Sequence, residues 1–550
     1  MNDISSVVWR LKYQWHLNGQ ASEHAPTDSW RRVADTLAQA EHDAAAWSRR
    51  FYSILEDWRF LPGGRILANA GTHADATLFN CFVLDTLDGS PSGQAHAVAE
   101  AIATLRTGGG IGLDLSPLPA GEVAPFLQRL EQAATDATEQ LQRRGAMMAT
   151  LGCTHPDVQA FVSAKHHGGL SHFNLSLLIG DAFMSAIIDD TAWPPGAPDA
   201  RHARRLWRLI GESAALSAEP GLLFIDRINR DNNLGYREHI RATNPCGEIP
   251  LPPAGACNLG SLNLTRFVRA PFTPSAALNW PALRQTTAIA VRLLDNVYEL
   301  SGFPLPSQAT AARASRRIGL GITGLADAFT MLGLRYGEPA SLACAARIMQ
   351  AIGHAAYQAS IELAAERGPF PAFDATRYLA TPFIAALPGS LRQDIARHGI
   401  RNSHLLAIAP AGSISLLAGN VSSGIEPIFA LHGERQIRLA DGRLQAFPVE
   451  DYALALYRTR TGHGDVPPAF TTAAEVPPAA HIALVAALQA QVDNAISKTV
   501  ALPDTATAAD VCASYEAAWR AGLKGITVYR HGATVGAGVI GECEDGLRCR

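Results

Sequence analysis

The run T-N-P-C-G-E-I-P-L-P-P, residues 243–253, places Asn244, Cys246 and Glu248 within five residues, and Cys257 follows Cys246 by eleven positions. No regular helix or strand runs through Pro245-Cys246-Gly247, because proline lacks a backbone donor and the glycine favours a turn. The three side chains therefore project from a tight loop rather than from an amphipathic face. A thiol flanked by an amide and a carboxylate makes a poor core. It is well suited to presenting a sulfur, a hydrogen-bond donor and a proton acceptor to one small substrate.

Outward from this loop the chain alternates between two periodicities. Helical spacing is expected over 28–58 (Trp30, Val33, Leu37, Trp47, Phe51, Leu55), 93–106, 203–218, 282–301, 340–366 and 479–498. Strand patterning is expected at 80–84, 111–116, 174–179, 222–225, 405–409 and 525–529. Strands that alternate with helices predict an α/β architecture. The motifs run from residue 60 to 530, which predicts one large catalytic domain. The expected division is a helical segment over 1–58, a catalytic domain over 59–535 and a tail over 536–550. A Pro/Ala-rich patch near 466–480 reads as a loop.

The composition narrows the function classes. Hydrophobic residues make up 47% and charged residues 17% of the 550, a balance that supports a substantial core. The net charge of −4 argues against a groove built to neutralise nucleic-acid phosphates. The basic run 201–208 reads as one solvated helix face. No signal peptide is read at the N-terminus, and no window of ~18 uninterrupted apolar residues is present. A cytoplasmic protein with reduced thiols and no membrane contact is the expectation.

The eight cysteines, Cys81, Cys153, Cys246, Cys257, Cys344, Cys512, Cys543 and Cys549, are too sparse for a disulfide scaffold. No C-x-x-C pair occurs, so no metal site is expected. Cys344, Cys512 and Cys153 fit helical or apolar surroundings as small buried hydrophobes. Cys543 and Cys549 lie on a glycine-rich terminal stretch, where paired thiols indicate a redox shuttle.

Two glycine-punctuated segments point to ligands. Residues 108–112, G-G-G-I-G, precede a strand instead of joining a strand to a helix, so a dinucleotide fingerprint fails its context. Close backbone approach to a ligand and a plain helix C-cap both remain open there. A better phosphate cradle is A-P-A-G-S-I-S, residues 409–415, which follows an apolar run and offers backbone N–H groups at a strand-to-helix turn. The polar loop 419–427 is too elaborate for a simple connection.

An ordered set of runs resembles the catalytic subunit of ribonucleotide reductase, in its adenosylcobalamin-dependent branch acting on ribonucleoside diphosphates. They are R-F-L-P-G-G-R-I-L-A-N-A-G-T (59–72), N-C-F-V-L (80–84), G-G-G-I-G-L-D-L-S-P-L (108–118) and R-R-G-A-M-M-A-T-L (143–151). The set continues through N-P-C-G-E-I-P-L-P-P (244–253), C-N-L-G-S-L-N-L (257–264) and R-I-G-L-G-I-T-G-L-A-D (317–327). It closes with R-N-S-H-L-L-A-I-A-P-A-G-S-I-S (401–415) and G-L-K-G-I-T-V-Y-R (522–530).

The resemblance implies a ten-stranded α/β barrel with a central finger loop, preceded by a helical N-terminal segment. It implies that Cys246 carries a thiyl radical that abstracts the ribose 3′ hydrogen, that Glu248 takes the 3′-hydroxyl proton, and that Asn244 hydrogen-bonds the ribose hydroxyls. Cys81 and Cys257 match the pair that delivers two electrons and ends as a disulfide. Cys543 and Cys549 match the tail pair that reduces it and passes oxidation to thioredoxin or glutaredoxin. Pro410, Ala411, Gly412, Ser413 and Ile414 match the substrate-phosphate loop, and Gly64, Asn80 and Gly110 match further substrate contacts. A homodimer and a dNTP or ATP specificity effector are also implied.

Departures from the family pattern qualify two of these implications. Val528 stands where the first tyrosine of a radical-relay dyad stands in the oxygen-dependent class that needs a partner subunit. That favours adenosylcobalamin over the class I alternative. The run between Pro119 and Gly145 departs from the effector-binding elements, and Ala411 replaces a hydroxyl residue in the phosphate loop. No N-terminal ATP-cone is expected in the roughly 60 residues before the first motif. A silent nucleotide-binding paralogue is the reading from another class, and the five retained redox cysteines speak against it.

Overall fold

The computed structural model describes residues 3–74, 76–138, 145–166, 168–196, 201–439, 443–462, 464–533 and 548–549. Its centre is a barrel of two parallel halves. The first half contains β1 (Cys81–Val83), β2 (Gly110–Asp114), β3 (Met147–Gly152), β4 (Phe173–Ile179) and β5 (Gly221–Phe224), each parallel to its neighbour. These strands are continuous apolar runs, as strands covered on both faces must be.

A short hairpin, β6 (Ala242–Thr243) and β7 (Pro250–Leu251), comes next in the chain. The second half follows with β8 (Ala256–Asn263), β9 (Ile318–Thr323), an irregular strand at 405–408, β10 (Thr499–Leu502) and β11 (Gly525–Arg530). Parallel pairing joins β8 to β9 and β10 to β11. Bridges Leu320–Leu406 and Ile408–Ile496 close the gap between β9 and the chain entering β10. The halves meet antiparallel at two seams, β1 with β8 and β5 with β11. Ten strands thus close on themselves, as expected, and leave no open barrel edge.

The N-terminal helices Pro26–Ala38 and Ala44–Leu55 pack on each other and on the outer helix Trp280–Leu300. Buried Glu41 clamps this contact. It accepts from Arg292 Nε at 2.7 Å, from Arg292 Nη2 at 2.6 Å and from Asn296 Nδ2 at 2.8 Å. Charge-assisted, bidentate pairing of this kind holds a buried carboxylate without an orphaned oxygen. A first helix, Asp3–Lys12, reaches across to the short helix Gly412–Leu417, with Ser5 Oγ donating to the Leu416 carbonyl at 2.8 Å.

Two expectations need correction. The helix expected over 479–498 is Pro478–Gln489 and stops there. Buried Asp493 accepts from the backbone N–H groups of Leu405 and Leu406, both at 2.8 Å, and from Tyr357 Oη at 2.7 Å. That carboxylate fixes the following residues as a barrel strand, so their apolar spacing serves the sheet. Cys344 and Cys512, expected to be buried, are half-buried on their helices, whereas Cys153 is buried and burial pushes its thiol up to about 12. No helix among the described residues is long and apolar enough to cross a membrane.

Candidate active site

The hairpin β6–β7 is a finger running inside the barrel. At its base, Arg241 pairs with Asp114, at the C-terminal end of β2, at 2.6 Å, and the Arg241 carbonyl accepts from Thr150 Oγ1 at 2.8 Å. Further along, a Cβ on Gly112 would overlap the Thr243 carbonyl oxygen, and one on Gly110 would stand 3.0 Å from Pro245 Cγ. The finger thus travels from the C-terminal to the N-terminal end of β2. Gly110 and Gly112 share one face of that strand by its period of two, and their missing side chains make the channel. Gly110 therefore makes room for the finger, and it does not line the cavity described below.

Local geometry sharpens the tip. The Asn244 N–H donates to the Ile249 carbonyl at 3.1 Å, and Asn244 Oδ1 accepts from the Ile249 N–H at 2.9 Å. The Gly247 N–H donates to the Asn244 carbonyl at 3.1 Å, and Gly247 takes φ +84°, a conformation that glycine adopts without strain. Both flanks are pinned: Asn174 Nδ2 donates to the Pro245 carbonyl at 2.8 Å, and the Ala495 N–H donates to the Glu248 carbonyl at 2.9 Å. Cys246 at the tip is half-buried, while Asn244 and Glu248 are buried.

The tip opens into a cavity of about 460 Å³. Its wall combines Asn80 before β1, the starts of β3, β4 and β5, Leu259–Ser261 of β8, the turn after 405–408 and Gly525–Thr527 of β11, so both halves of the barrel form it. Of the residues singled out from sequence, Gly64, Asn80, Cys246, Glu248, Pro410, Ala411, Gly412, Ser413 and Ile414 line it together. The phosphate-loop segment is held from three directions. Ser415 Oγ donates to the Ala411 carbonyl at 2.7 Å, Tyr13 Oη donates to Ser413 Oγ at 3.1 Å, and Gly424 packs so that a Cβ would stand 2.8 Å from the Ala409 carbonyl. Ala411 has φ +56°, an uncommon conformation for a residue with a side chain and one that collects at ligand sites. Asn80 lines the cavity, and its Oδ1 is buried with no hydrogen-bond partner among the described residues.

Behind the finger, Cys81 and Cys257 are direct partners across the antiparallel seam. Such partners have Cα atoms about 4.5–5.5 Å apart, within the window of about 4.4–6.8 Å that a disulfide needs. Cys81 is 2% and Cys257 0% exposed. Asn244 Nδ2 donates to Cys81 Sγ at 3.2 Å, which joins the finger to the pair. Burial pushes the Cys257 thiol well above its ordinary value; Arg317 opposes that rise, while the charges of Glu248 and Asp493 reinforce it.

Of the tail thiols, Cys543 lies outside the described residues. The backbone of Arg548–Cys549 pairs with the strand His432–Arg438, Cys549 opposite Arg435, and Arg435 lines the cavity.

Several cavity residues escape the sequence reading. His172 lines the wall and is held by Glu131 Oε1 at 3.0 Å from its Nδ1. Burial raises the Glu131 carboxyl, but hydrogen bonds from His172 and Ser171 outweigh it and bring the value to about 2. Glu219 pairs with Lys165 at 2.8 Å, and Lys498 pairs with Glu426. Of these only Glu426 carried a signal, as part of the over-elaborate loop 419–427. The others are isolated polar residues on ordinary helical or strand patterns.

Residues 79–529 match the family model described as ribonucleotide reductase, barrel domain, and residues 2–75 match ribonucleotide reductase, all-alpha domain. The chain is 39% identical to a vitamin B12-dependent ribonucleoside-diphosphate reductase of Mycobacterium tuberculosis, over 96% of this chain and 79% of that protein. A protein of the same description from Thermoplasma acidophilum is 32% identical over 91% of this chain and 67% of its own length. A ribonucleoside-diphosphate reductase subunit alpha from Synechocystis is 29% identical over 70% of this chain and 57% of its own length.

Proposed function

This chain belongs to the ribonucleotide reductase family, and from that premise we propose that it reduces ribonucleoside diphosphates to 2′-deoxyribonucleoside diphosphates with adenosylcobalamin as cofactor. One observation carries the reading. A single cavity joins the fingertip Cys246 and Glu248 to the cradle 410–414, with two cross-strand cysteines directly behind the finger.

The residues divide the work. The backbone N–H groups that open the helix Gly412–Leu417 receive the substrate phosphates. Asn80 and Asn244 orient the sugar hydroxyls, and Gly64 lets the sugar approach the wall. Cys246, as a thiyl radical, forms an S–H bond as the ribose C3′–H bond breaks, while Glu248 takes the 3′-hydroxyl proton. The 2′-hydroxyl then leaves as water. Cys81 and Cys257 supply two electrons and two protons and end as a disulfide, and Cys246 returns its hydrogen to C3′. Reduction of a disulfide this deep falls to Cys543 and Cys549 by thiol exchange, with thioredoxin or glutaredoxin as the final reductant.

The cavity suits the cofactor. Beside Cys246 it is open over Gly247, where a Cβ would meet no atom within 4 Å. Its wall carries Leu222, Ile526 and Phe429, the last 41% exposed, apolar surface against which the face of a corrin ring would rest. When bound, adenosylcobalamin supplies an unpaired electron by cobalt–carbon cleavage. Position 528 of β11 is a buried valine, so it offers no phenol to relay a radical from a partner subunit.

Reduction is expected in the cytoplasm, by a homodimer, with any dNTP or ATP effector acting near the helix Val123–Thr138. The proposed division is a helical segment over 1–58, a catalytic domain over 59–535 and a redox tail over 536–550. Purified chain with adenosylcobalamin, a dithiol and a ribonucleoside diphosphate should yield the deoxynucleotide without a second protein. Absence of product with all four common diphosphates would overturn the reading. Nucleotide binding without product would favour a silent paralogue, and product only with an added subunit would favour the class I reading.

A further inference from the structure

Thr323 ends β9 and Ser415 lies in the helix Gly412–Leu417; they are 0% and 1% exposed, and neither lines the cavity. The reaction uses neither hydroxyl. Yet Thr323 Oγ1 and Ser415 Oγ stand 2.7 Å apart, and Ser415 Oγ donates to the Ala411 carbonyl at 2.7 Å. A hydroxyl has one proton to give. Ser415 gives its proton to Ala411, so Thr323 is the donor where the two hydroxyls meet. Thr323 Oγ1 in turn accepts the Gly424 N–H at 3.1 Å. The Ser422 carbonyl, 3.0 Å from Thr323 Oγ1, receives the Gly324 N–H at 2.8 Å. Hydrogen bonds therefore run in one direction, from Gly424 through Thr323 and Ser415 to Ala411.

Both ends of this relay touch the phosphate cradle. Ala411 belongs to it and takes φ +56°, a conformation that a residue with a side chain keeps only where its surroundings impose it. Gly424 packs against the Ala409 carbonyl, one residue before the cradle. The Gly424 side is itself fixed: buried Asp327 accepts the Ser422 N–H at 2.6 Å and the Ala453 N–H at 3.0 Å. Thr323 thus stands between an anchored loop and the strained residue of the cradle. Buried hydroxyls joined in series polarise one another, and breaking one bond leaves the next group without its partner.

We propose that Thr323 is a positioning residue for the cradle: through Ser415 it holds Ala411 in the left-handed conformation that gives residues 410–414 the shape to receive a diphosphate. The inference rests on the reading of 410–414 as the substrate-phosphate cradle. Thr323 touches no substrate, so its effect falls on phosphate binding and leaves the chemistry at Cys246 to proceed once the site is filled.

The test compares wild type, T323V and T323S in steady-state turnover of a ribonucleoside diphosphate, with dissociation constants for that diphosphate and for its parent nucleoside measured in parallel. T323V removes the hydroxyl and keeps a branched side chain. It should raise KM and the diphosphate dissociation constant about tenfold, the scale of one buried hydrogen bond, with kcat within about twofold of wild type. Nucleoside affinity should not change, which also reports that the variant folds. T323S keeps the hydroxyl and should bind the diphosphate near the wild-type level. S415A cuts the relay from the other side and carries the same test if T323V does not fold. The double variant T323V/S415A should be no worse than the poorer single, as members of one relay must be. An unchanged diphosphate KM in T323V overturns the inference alone. So does an equal loss of diphosphate and nucleoside affinity, or a fall in kcat without a change in KM. Equal losses in T323V and T323S would assign only packing, and fully additive losses in the double variant would show two independent contacts; either overturns it. If the wild-type chain binds the nucleoside as tightly as its diphosphate, the cradle reading and this inference fall together.

Discussion

The two sides of the finger treat sulfur differently. At the tip, Cys246 is half-buried on a turn, next to a glycine with open space beside it, facing the cavity. Behind the finger, Cys81 and Cys257 are sealed on adjacent strands in opposed register, so each is the other's nearest redox partner. In the proposed reaction the same side chain is a carrier that meets substrate in one place and half of a two-electron couple in the other. Placement decides which: a loop tip offers approach, and a barrel seam offers a fixed partner at disulfide spacing. Asn244, hydrogen-bonded to Cys81 from the finger, holds the two sites in one geometry.

Replacing Cys246 with serine breaks the comparison outright. Turnover should fall by at least about 10⁴-fold, the scale of losing a covalent catalytic group, with an unchanged circular dichroism spectrum. C257S tests the other side. Deoxynucleotide formation should fall about 10³-fold, yet tritium exchange from 3′-labelled substrate should persist, because Cys246 remains. Loss of exchange in C257S would show that the two thiol sites are not separable.

G112A probes the link between them, since its methyl group would push on the Thr243 carbonyl and shift the whole finger. About 10²-fold lower turnover is expected from displacement of this size, with a stability cost of about 1–3 kcal/mol from overpacking in a denaturant melt. A G112A enzyme of normal activity would mean that the tip does not depend on the channel.

The smallest effect concerns the carboxylate that holds the cavity-wall residue His172. Glu131, held at about 2 against an ordinary 4.5, contributes stability that is fully present above about pH 4.5 and is lost as the pH falls towards 2. Acid titrations of wild type and E131Q should therefore differ most above pH 4.5 and converge near pH 2. The activities of the two should differ less than those of any variant above.

Much of the architecture was legible because strong local patterns survive in it. The apolar runs at 174–179 and 222–225 became β4 and β5, and the tight turn at Pro245-Cys246-Gly247 became the fingertip. The helix expected to reach 498 failed because Asp493, a polar residue in an apolar series, takes its partners from strand 405–408 some 88 positions away. His172, Glu219 and Lys498 were invisible for a related reason. Their meaning comes from the common cavity, and no spacing along the chain encodes it. Gly110 matches a substrate contact of the family, and only the path of the finger shows that its missing side chain also makes room for Pro245.

By itself the sequence determined the reactive loop, the order of strands and helices, and the residue types available for thiol and proton chemistry. Those follow from short-range chemistry: proline and glycine set a turn, and periodicity sets an element. Only the tertiary structure decided that Cys81 faces Cys257 across 176 positions, that the finger fills the barrel, and that Thr323 meets Ser415 behind the cradle. Barrel closure brings such residues together through pairings between distant strands, and that information resides in the register of the whole sheet.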